Sequence, residues 1–594
     1  MIKLSDYIAK RLSRRYGVEH AFMVSGGGAM HLNDSFGRYI PYTANHHEQA
    51  CAIAGEGYAR AGGKLAVVNV TTGPGGLNCL NGVFGQWTDS IGVLYVSGQV
   101  KFRTTLAYCP ELPLRQLGDQ EVDIVSSVRH LTKYAAMVRE PRDIKYHLDR
   151  AVYEAMSGRR GPVWLDIPMD VQSAMIDEDN LREFVPPAER VPDAEEMRVA
   201  QIAERLKAAK RPLMVAGHGI RLAGMRRQFM ELLDKTNIPV ATTFNGFDTI
   251  PTGHKNYAGR IGSMGQRAGN FNLQNADCIL FLGTRNNIRQ VSYNWENFAR
   301  RAFKIAVDID AAELEKPLVR PDLAVCADLR HFLPAFAEAF GAFDADAKWA
   351  RFCRDLVEKY SFKNTPEYAQ KPGGKINIYN FIHRLTELAS ADDVFVCANG
   401  SACVASFGVF EVKDGSRMFW NSGDASMGYD LPAAIGAQRA LPSSRIVCLT
   451  GDGSIMMNIQ ELQTIAHNRL PIKIFVMNNG GYSSIKQTQN NFFDGRMTAC
   501  GATSGVTTPD FCDVARAFKI KSVRLENPEE LDAKIRETLS CAGPLLCQVE
   551  CDPDYIFVPK LSARRLPDGS MQSPPLEDMY PFLDRAEFEK NIVK

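Results

Sequence analysis

No stretch of the 594-residue chain reaches about 18 consecutive apolar residues, the length a membrane-spanning helix needs, so no transmembrane segment is predicted. Net charge is nearly absent too. Lysine and arginine (69) balance aspartate and glutamate (68) to a formal +1, which leaves no electrostatic reason to expect nucleic acid or an anionic membrane as partner. The fourteen cysteines include no CxxC pair, which argues against a structural zinc site and for a reducing compartment. Nor does the chain open on a secretory signal, since MIKLSDYIAKRLSRRYG mixes acids and bases on an amphipathic helix. The expectation is a cytoplasmic protein. What is present is ordinary: 45% hydrophobic and 23% charged residues read as globular, and the length suits three domains of roughly 150–200 residues.

The densest signal lies between Gly451 and Ile485. An apolar run, Ile446 to Thr450, ends in Gly451-Asp452-Gly453-Ser454. A helical pattern follows (Ile459, Leu462, Ile465, Ala466), and a second apolar run, Ile472 to Met477, closes on Asn478-Asn479-Gly480-Gly481. The pattern predicts strand, turn, helix, strand, turn, with both turns at the carboxyl ends of parallel strands. In open α/β sheets that edge binds ligands. Glycines on both sides of Asp452 let backbone approach a phosphate, and Ser454 with the helix start offers donors to an anion. Asp452 and Asn479 supply hard side-chain oxygens suited to Mg²⁺ or Ca²⁺, with phosphate oxygens and the Gly481 carbonyl completing the shell. A lone GDG is also common as a ligand-free βα turn; the second turn, 24 residues on, changes that reading.

Residues 1 to about 185 alternate helix and strand signals, which predicts a doubly wound parallel sheet. Two glycine loops, Ser25-Gly26-Gly27-Gly28 and Thr71-Thr72-Gly73-Pro74-Gly75-Gly76, follow β-type runs. Glu48, in Asn45-His46-His47-Glu48-Gln49-Ala50, immediately precedes a small-residue helix, CAIAGEGYARAGG. Read alone, it is an acid favourable to the helix dipole. From Asp177 a charged stretch with three prolines reads as a linker. A middle domain of about 190–345 and a third domain of about 370–552 follow, each with βα signals. The expected fold is therefore α/β, three Rossmann-like, doubly wound parallel-sheet domains. The tail, 553–594, carries six prolines and is read as a lid over the site or a surface strap.

The GDG…NN pair resembles the thiamine-diphosphate-binding motif of the decarboxylase and carboligase superfamily, while HHEQA, GYARAGGK and TTGPGG resemble the pyrimidine-binding domain of acetolactate synthase-like enzymes. The motifs occur in the family's order over nearly the whole chain. The resemblance implies that Glu48 hydrogen-bonds the aminopyrimidine of thiamine diphosphate and promotes the tautomer that deprotonates its thiazolium carbon. It implies an active-site glutamine at Gln120, in LPLRQLGDQEVDIV, and a wedge at Met427, in Asn421 to Tyr429, that bends the cofactor into a V. Met427 read alone is core packing. Gly26, Gly73, Gly400, Ser401, Ser426, Gly451, Asp452, Gly453, Ser454, Asn479, Gly481 and Tyr482 complete the implied cofactor set, with Asp452, Asn479 and Gly481 holding Mg²⁺.

The middle domain lacks a full GxGxxG, so spacing alone does not establish a dinucleotide site. Gly217, Gly219, Thr243, Gly283, Arg285, Arg289, Asp308, Asp310 and Asp328 are similar to positions with which FAD-binding acetolactate synthases hold FAD. Arg285 and Arg289 suit a pyrophosphate, and an aspartate after a strand suits a ribose or adenine edge. Asn286-Asn287 departs from the acidic residue often found there, and superfamily members with an empty middle domain leave the alternative open.

The implied function is decarboxylating carboligation: a 2-keto acid such as pyruvate loses CO₂ and its two-carbon unit passes to an acceptor carbonyl, a second pyruvate or a keto-sugar nucleotide. The family shares each cofactor between subunits, which implies a homodimer or homotetramer. Biosynthetic acetolactate synthases carry a tryptophan after the NN turn, where this chain has Thr488 in Lys486-Gln487-Thr488-Gln489. With Gly480-Gly481 this predicts a roomier pocket and an acceptor bulkier than a second keto acid, such as a keto-sugar nucleotide. A non-ligating 2-keto acid decarboxylase, an FAD-dependent pyruvate oxidase and a regulatory subunit without turnover are the alternatives.

Overall fold

The computed structural model describes residues 1–565 and 567–593. Three six-stranded sheets, each wholly parallel, carry the chain. The first runs Tyr42–Ala44, Ala21–Met23, Ala66–Val70, Val93–Gln99, Val163–Pro168, Tyr134–Met137, the chain-order sequence 2-1-3-4-6-5. The third repeats that order with Arg417–Phe419, Val394–Cys397, Ile446–Gly451, Lys473–Asn478, Leu545–Glu550 and Lys521–Leu525. The middle sheet differs: Tyr257–Arg260, Val240–Thr242, Pro212–Ala216, Cys278–Leu282, Phe303–Asp308, Leu323–Cys326, or 3-2-1-4-5-6, the Rossmann order. The expected α/β class is met in all three domains.

Strand order fixes where ligands can enter, because a crevice opens where the winding direction reverses. In the outer domains that point lies between the first and third strands. It is flanked by Ser25–Gly28 and Thr71–Gly76 in one, and by Ala398–Ser401 and Gly451–Ser454 in the other. In the middle domain it lies between Pro212–Ala216 and Cys278–Leu282, and its loops are Gly217–Gly219 and Gly283–Arg285.

The two outer domains are fused through a pair of helices, Glu48–Gly62 and Asp430–Ala440. Their sequences, EQACAIAGEGYARAG and DLPAAIGAQRA, are small or apolar on every side rather than along one stripe, which is the composition of a helix buried all round. Ala50 to Arg60 and Asp430 to Gln438 are indeed buried without interruption. Glycine lets the backbones touch. A Cβ built on Gly57 would fall 2.2 Å from the Ala433 carbonyl oxygen, and one on Gly436 would fall 1.9 Å from that of Ala54. Around this crossing one continuous core joins Phe22, Val68, Tyr95 and Trp164 of the first domain to Val396, Cys448, Ile474 and Phe511 of the third. The only cation inside it, among the described residues of these two helices, is Arg60, bonded to Glu56 at 2.8 Å and Asp89 at 2.7 Å.

The other face of the third sheet packs against Phe244 and Phe247 of the middle domain, where Phe247 stacks on Trp420 at 4.6 Å. The tail begins as the direct continuation of Leu545–Glu550 and is a strap for most of its length. Its course follows the middle-domain helix Arg267–Asn275. Asn270 donates to the Leu576 carbonyl, Gln274 to the buried Glu577, and the Val593 amide to Asn275. A short helix, Arg585–Lys590, sets Phe588 against Phe271. No described helix is long and apolar enough to cross a membrane.

Candidate active site

Glu48 opens its helix behind an extended His47, whose Nδ1 accepts from the Gln49 amide at 3.2 Å and so caps the first turn. The Glu48 carboxylate accepts from Asn78 Nδ2 at 2.9 Å. Beneath it lies the TTGPGG turn. Gly73 has φ +59°, and a Cβ there would meet the Gln120 carbonyl oxygen at 1.9 Å. Gln120 is itself held at φ +60°, a conformation that only a surrounding framework sustains in a non-glycine residue. Glu121 supplies that framework. Its buried carboxylate accepts from the amides of Leu106, Leu117 and Gly118, closing the 101–120 loop onto the turn. Gly26 leaves no room for a side chain against Thr71 and donates its amide to Asn33 at 3.1 Å. Glu48, Gly26, Gly73 and Gln120 thus belong to one cluster of loops. Below it, Gln99 links Thr72 to Asp166, and burial pushes the Asp166 carboxyl up to about 7.

The GDG and NN turns stand side by side because Ile446–Gly451 and Lys473–Asn478 are neighbouring strands. Asp452 Oδ1 accepts from Gly453 N at 2.7 Å; Oδ2 accepts from Gly481 N at 2.8 Å and Asn479 N at 3.2 Å. Burial raises this carboxyl, and those amides oppose the shift. Three donors on a carboxylate with about four acceptor positions leave Oδ1 one lone pair for a cation. The Asn479 carbonyl oxygen Oδ1 is buried without a partner, and so is that of Asn399. Open space completes the cradle: a Cβ on Gly451 would meet no atom within 4 Å, and one on Gly400 only Ser484 Oγ at 3.9 Å. Orphaned hard oxygens beside glycine turns fit a divalent cation carrying a diphosphate. Gly481, at φ +121°, keeps its carbonyl on the Ser483 amide at 3.0 Å.

Two of the expected residues act differently from their sequence reading. The Ser454 hydroxyl donates to Asp430 at 2.5 Å and accepts from Gly428 N at 2.9 Å, so it ties two turns together. Its neighbour in that arrangement is Met427, whose position is fixed by Gly428 (φ +83°) and by Asn458 donating to the Gly428 carbonyl at 2.8 Å. Tyr482 lies flat against Gly453, where a Cβ would fall 2.3 Å from its ring and 3.4 Å from the Met427 methyl. Ser426 donates to Asn81 of the first domain at 2.7 Å. Ser401 starts the helix after Gly400 and faces a residue the sequence did not single out, Tyr555. Tyr555 comes from the tail, buried, with its hydroxyl 3.5 Å from Asn479 Nδ2. An aromatic just beyond a strand's carboxyl end was its one faint signal.

At the middle domain's own switch point a large cavity opens, enclosing about 1120 Å³ of space, part of it open to solvent. Gly219, Thr243, Gly283, Arg285, Asp308 and Asp328 line it. Gly217 instead backs against Gly283, where a Cβ would fall 2.1 Å from the carbonyl oxygen. Arg289 is not among the lining residues; its guanidinium lies 4.8 Å over the ring of Phe244, which is. Asp328 caps the helix Leu329–Phe340, and Asp310 pairs with Arg159 at 2.7 Å. Asp308 is raised by burial. His218, unremarked in the sequence, lines the cavity with both ring nitrogens unpartnered, and burial holds it neutral.

Two outer domains of one topology, one presenting Glu48 and the other an Asp-Asn cation cradle, define a thiamine-diphosphate enzyme. Comparison with known proteins agrees domain by domain. Residues 2–127 match the N-terminal thiamine-pyrophosphate-binding domain of such enzymes, 199–336 the central domain and 398–549 the C-terminal thiamine-pyrophosphate-binding domain. The chain is 32% identical over 542 residues to the acetolactate synthase isozyme 2 large subunit of Escherichia coli, covering 91% of this chain and 94% of that one. It is 31% identical to the acetolactate synthase large subunit of Lactococcus lactis over 93% of each chain, and 30% identical to that of Cyanidium caldarium, again over 93% of each. The chain belongs to the acetolactate synthase-like family and is a thiamine-diphosphate-dependent carboligase.

Proposed function

We propose that this carboligase takes a two-carbon unit from a 2-keto acid, pyruvate in the first instance, and delivers it to an acceptor carbonyl larger than a second pyruvate, a keto-sugar nucleotide being the acceptor class. When bound, thiamine diphosphate supplies the electron sink that lets the keto acid lose CO₂. Glu48, whose carboxylate Asn78 orients, would hold the proton for the aminopyrimidine, and Met427 would be the side chain beneath the cofactor. Asp452, Asn479 and the Gly481 carbonyl would hold Mg²⁺, with the turns at Gly26, Gly73, Gly400 and Gly451 giving the diphosphate backbone access. Gln120, whose backbone lies against Gly73, would be the glutamine that meets the substrate.

The acceptor reading rests on one observation. On the helix Ser483–Phe492, Thr488 is exposed and turns its hydroxyl back onto the Ser484 carbonyl at 3.0 Å, so the wall after the NN turn is low and unhindered. Gly480 (φ +73°) and Gly481 add no side chains to it. The active unit is a homodimer or a tetramer built from it, in the cytoplasm. Each Glu48 would work against the GDG turn of a second copy, whose approach would cover exposed Leu77, on the turn beneath Glu48, and Met456 and Met457 beyond the GDG turn. The middle-domain cavity would be the FAD site: its size, Arg285 and the strand-end Asp308 support that reading.

The test is mass spectrometry of products from protein, thiamine diphosphate, Mg²⁺ and pyruvate, with and without keto-sugar nucleotides. A sugar gaining an acetyl unit, absent with Glu48→Gln, supports the reading; acetolactate from pyruvate alone restricts the enzyme to that product, and free acetaldehyde makes it a decarboxylase. A flavin absorbance band in the purified protein tests the cavity, and its bleaching by pyruvate would instead mark an oxidase.

A further inference from the structure

The Asn479 side chain presents a problem that backbone geometry does not solve. Its amide has two faces of opposite polarity, one of which attracts a cation while the other repels it. Asp452 cannot fix the choice, because it receives the Asn479 backbone amide and leaves the side chain free. With Oδ1 unpartnered and buried, the side chain's one polar contact among the described residues is from Nδ2 to the Tyr555 hydroxyl, at 3.5 Å.

We propose that Tyr555 is a positioning residue for the metal: its hydroxyl accepts from Asn479 Nδ2 and thereby keeps Oδ1 turned toward the cation beside Asp452. The inference rests on the divalent-cation reading of that turn given above. Outer-shell partners commonly act this way, selecting the orientation of a ligand rather than binding the metal. Tyr555 is itself well fixed. Gln487, on the helix after the NN turn, donates to the Tyr555 carbonyl at 3.4 Å and accepts from the Phe557 amide at 3.0 Å. The Val558 amide donates to Tyr379 at 3.0 Å, and Tyr368 donates to the Val558 carbonyl at 3.2 Å. The start of the tail is therefore pinned between the NN helix and the third domain, and it brings a phenol to the metal turn from 76 residues away. Reversing the amide would place its NH₂ against the cation, so losing the hydroxyl should weaken metal binding without removing a ligand.

The experiment titrates Mn²⁺, read by electron paramagnetic resonance, into full-length apoprotein with thiamine diphosphate. Tyr555→Phe, which keeps the ring, is expected to weaken Mn²⁺ binding by about 10- to 100-fold with the metal-free melting temperature unchanged. Asn479→Asp replaces the two-faced amide with a carboxylate that needs no orienting. In that background Tyr555→Phe should change Mn²⁺ affinity by less than about twofold. If Tyr555→Phe folds poorly, Gln487→Ala, which loosens the tail segment, should weaken Mn²⁺ in the same direction. An unchanged affinity in Tyr555→Phe, or an equal loss in both backgrounds, overturns the positioning role. Wild-type protein that binds no Mn²⁺ at all overturns the cation reading beneath it.

Discussion

Replacing Gly436 by alanine tests the central claim about how the Glu48 helix is held. The new methyl would fall 1.9 Å from the Ala54 carbonyl oxygen, with the Tyr58 amide nitrogen at 2.7 Å. Both obstacles are backbone of a helix buried on every side, so no rotamer can relieve them. Ordinary contact begins near 3.4 Å, and reaching it requires the helices to part by about 1.5 Å at the crossing. A gap of that size forfeits much of the dispersion energy of the surrounding small-residue interface. Overpacking of this kind costs about 3 kcal/mol or more, offset by about 1 kcal/mol from alanine's better helix propensity. A net loss of about 2 kcal/mol lowers the first thermal transition by roughly 4 °C or more. Differential scanning calorimetry provides the measurement, with Gly543→Ala as control because no atom lies within 4 Å of its added Cβ. Turnover should fall further than stability, since Glu48 begins the displaced helix. A Gly436→Ala transition within about 1 °C of wild type would refute the reasoning.

Two further outcomes are expected. Asp166, at about 7 in the fold against 3.8 unfolded, favours its protonated form in the native state. Its contribution is fully present below pH 3.8 and is lost as pH rises through about 7. Asp166→Asn should therefore flatten the decline in melting temperature across that window, by up to about 1.4 kcal/mol per pH unit, and parallel curves for the two proteins would contradict the assignment. Gly73→Ala, strained at φ +59° and colliding with Gln120, should cut kcat at least about tenfold by lifting the 101–120 loop from the TTGPGG turn; unchanged steady-state kinetics would detach that loop from the reaction.

Much of this was legible in the chain because apolar runs buried on both faces of a parallel sheet are hard to mistake. The run read at Ile446–Thr450 forms the strand Ile446–Gly451, and the run read at Ile472–Met477 forms Lys473–Asn478. The GDG and NN turns meet because those strands are adjacent, a pairing that motif spacing implies. Contacts made at long range were less visible. The Ser454 hydroxyl looked like an anion donor until Asp430 arrived from another helix to take it. Arg289 looked like a phosphate ligand, yet an aromatic face claims it. Asp328 is a helix cap, a role that its local sequence could equally have announced. Tyr555 lay in a proline-rich tail whose sequence allowed either a lid or a strap, and whose docking depends on Arg267–Asn275, across a separation of 306 residues at Asn270.

The tail's path has a consequence for synthesis. Ribosomes deliver the N-terminal domain first, and domains fold as they emerge. The Glu48 helix packs at once on Ala66–Val70 and Leu80–Asp89 of its own domain, but its face toward Asp430–Ala440 has no partner until that helix has been made. The turn that carries Asn479 stays without its tyrosine until residue 555 follows. The strap is fastened only at the end of translation, when the Val593 amide reaches Asn275. Nascent chains therefore carry one unpaired face of that helix through most of their elongation. A polypeptide released early would contain most of the cofactor motifs in its sequence while lacking the last group placed beside them.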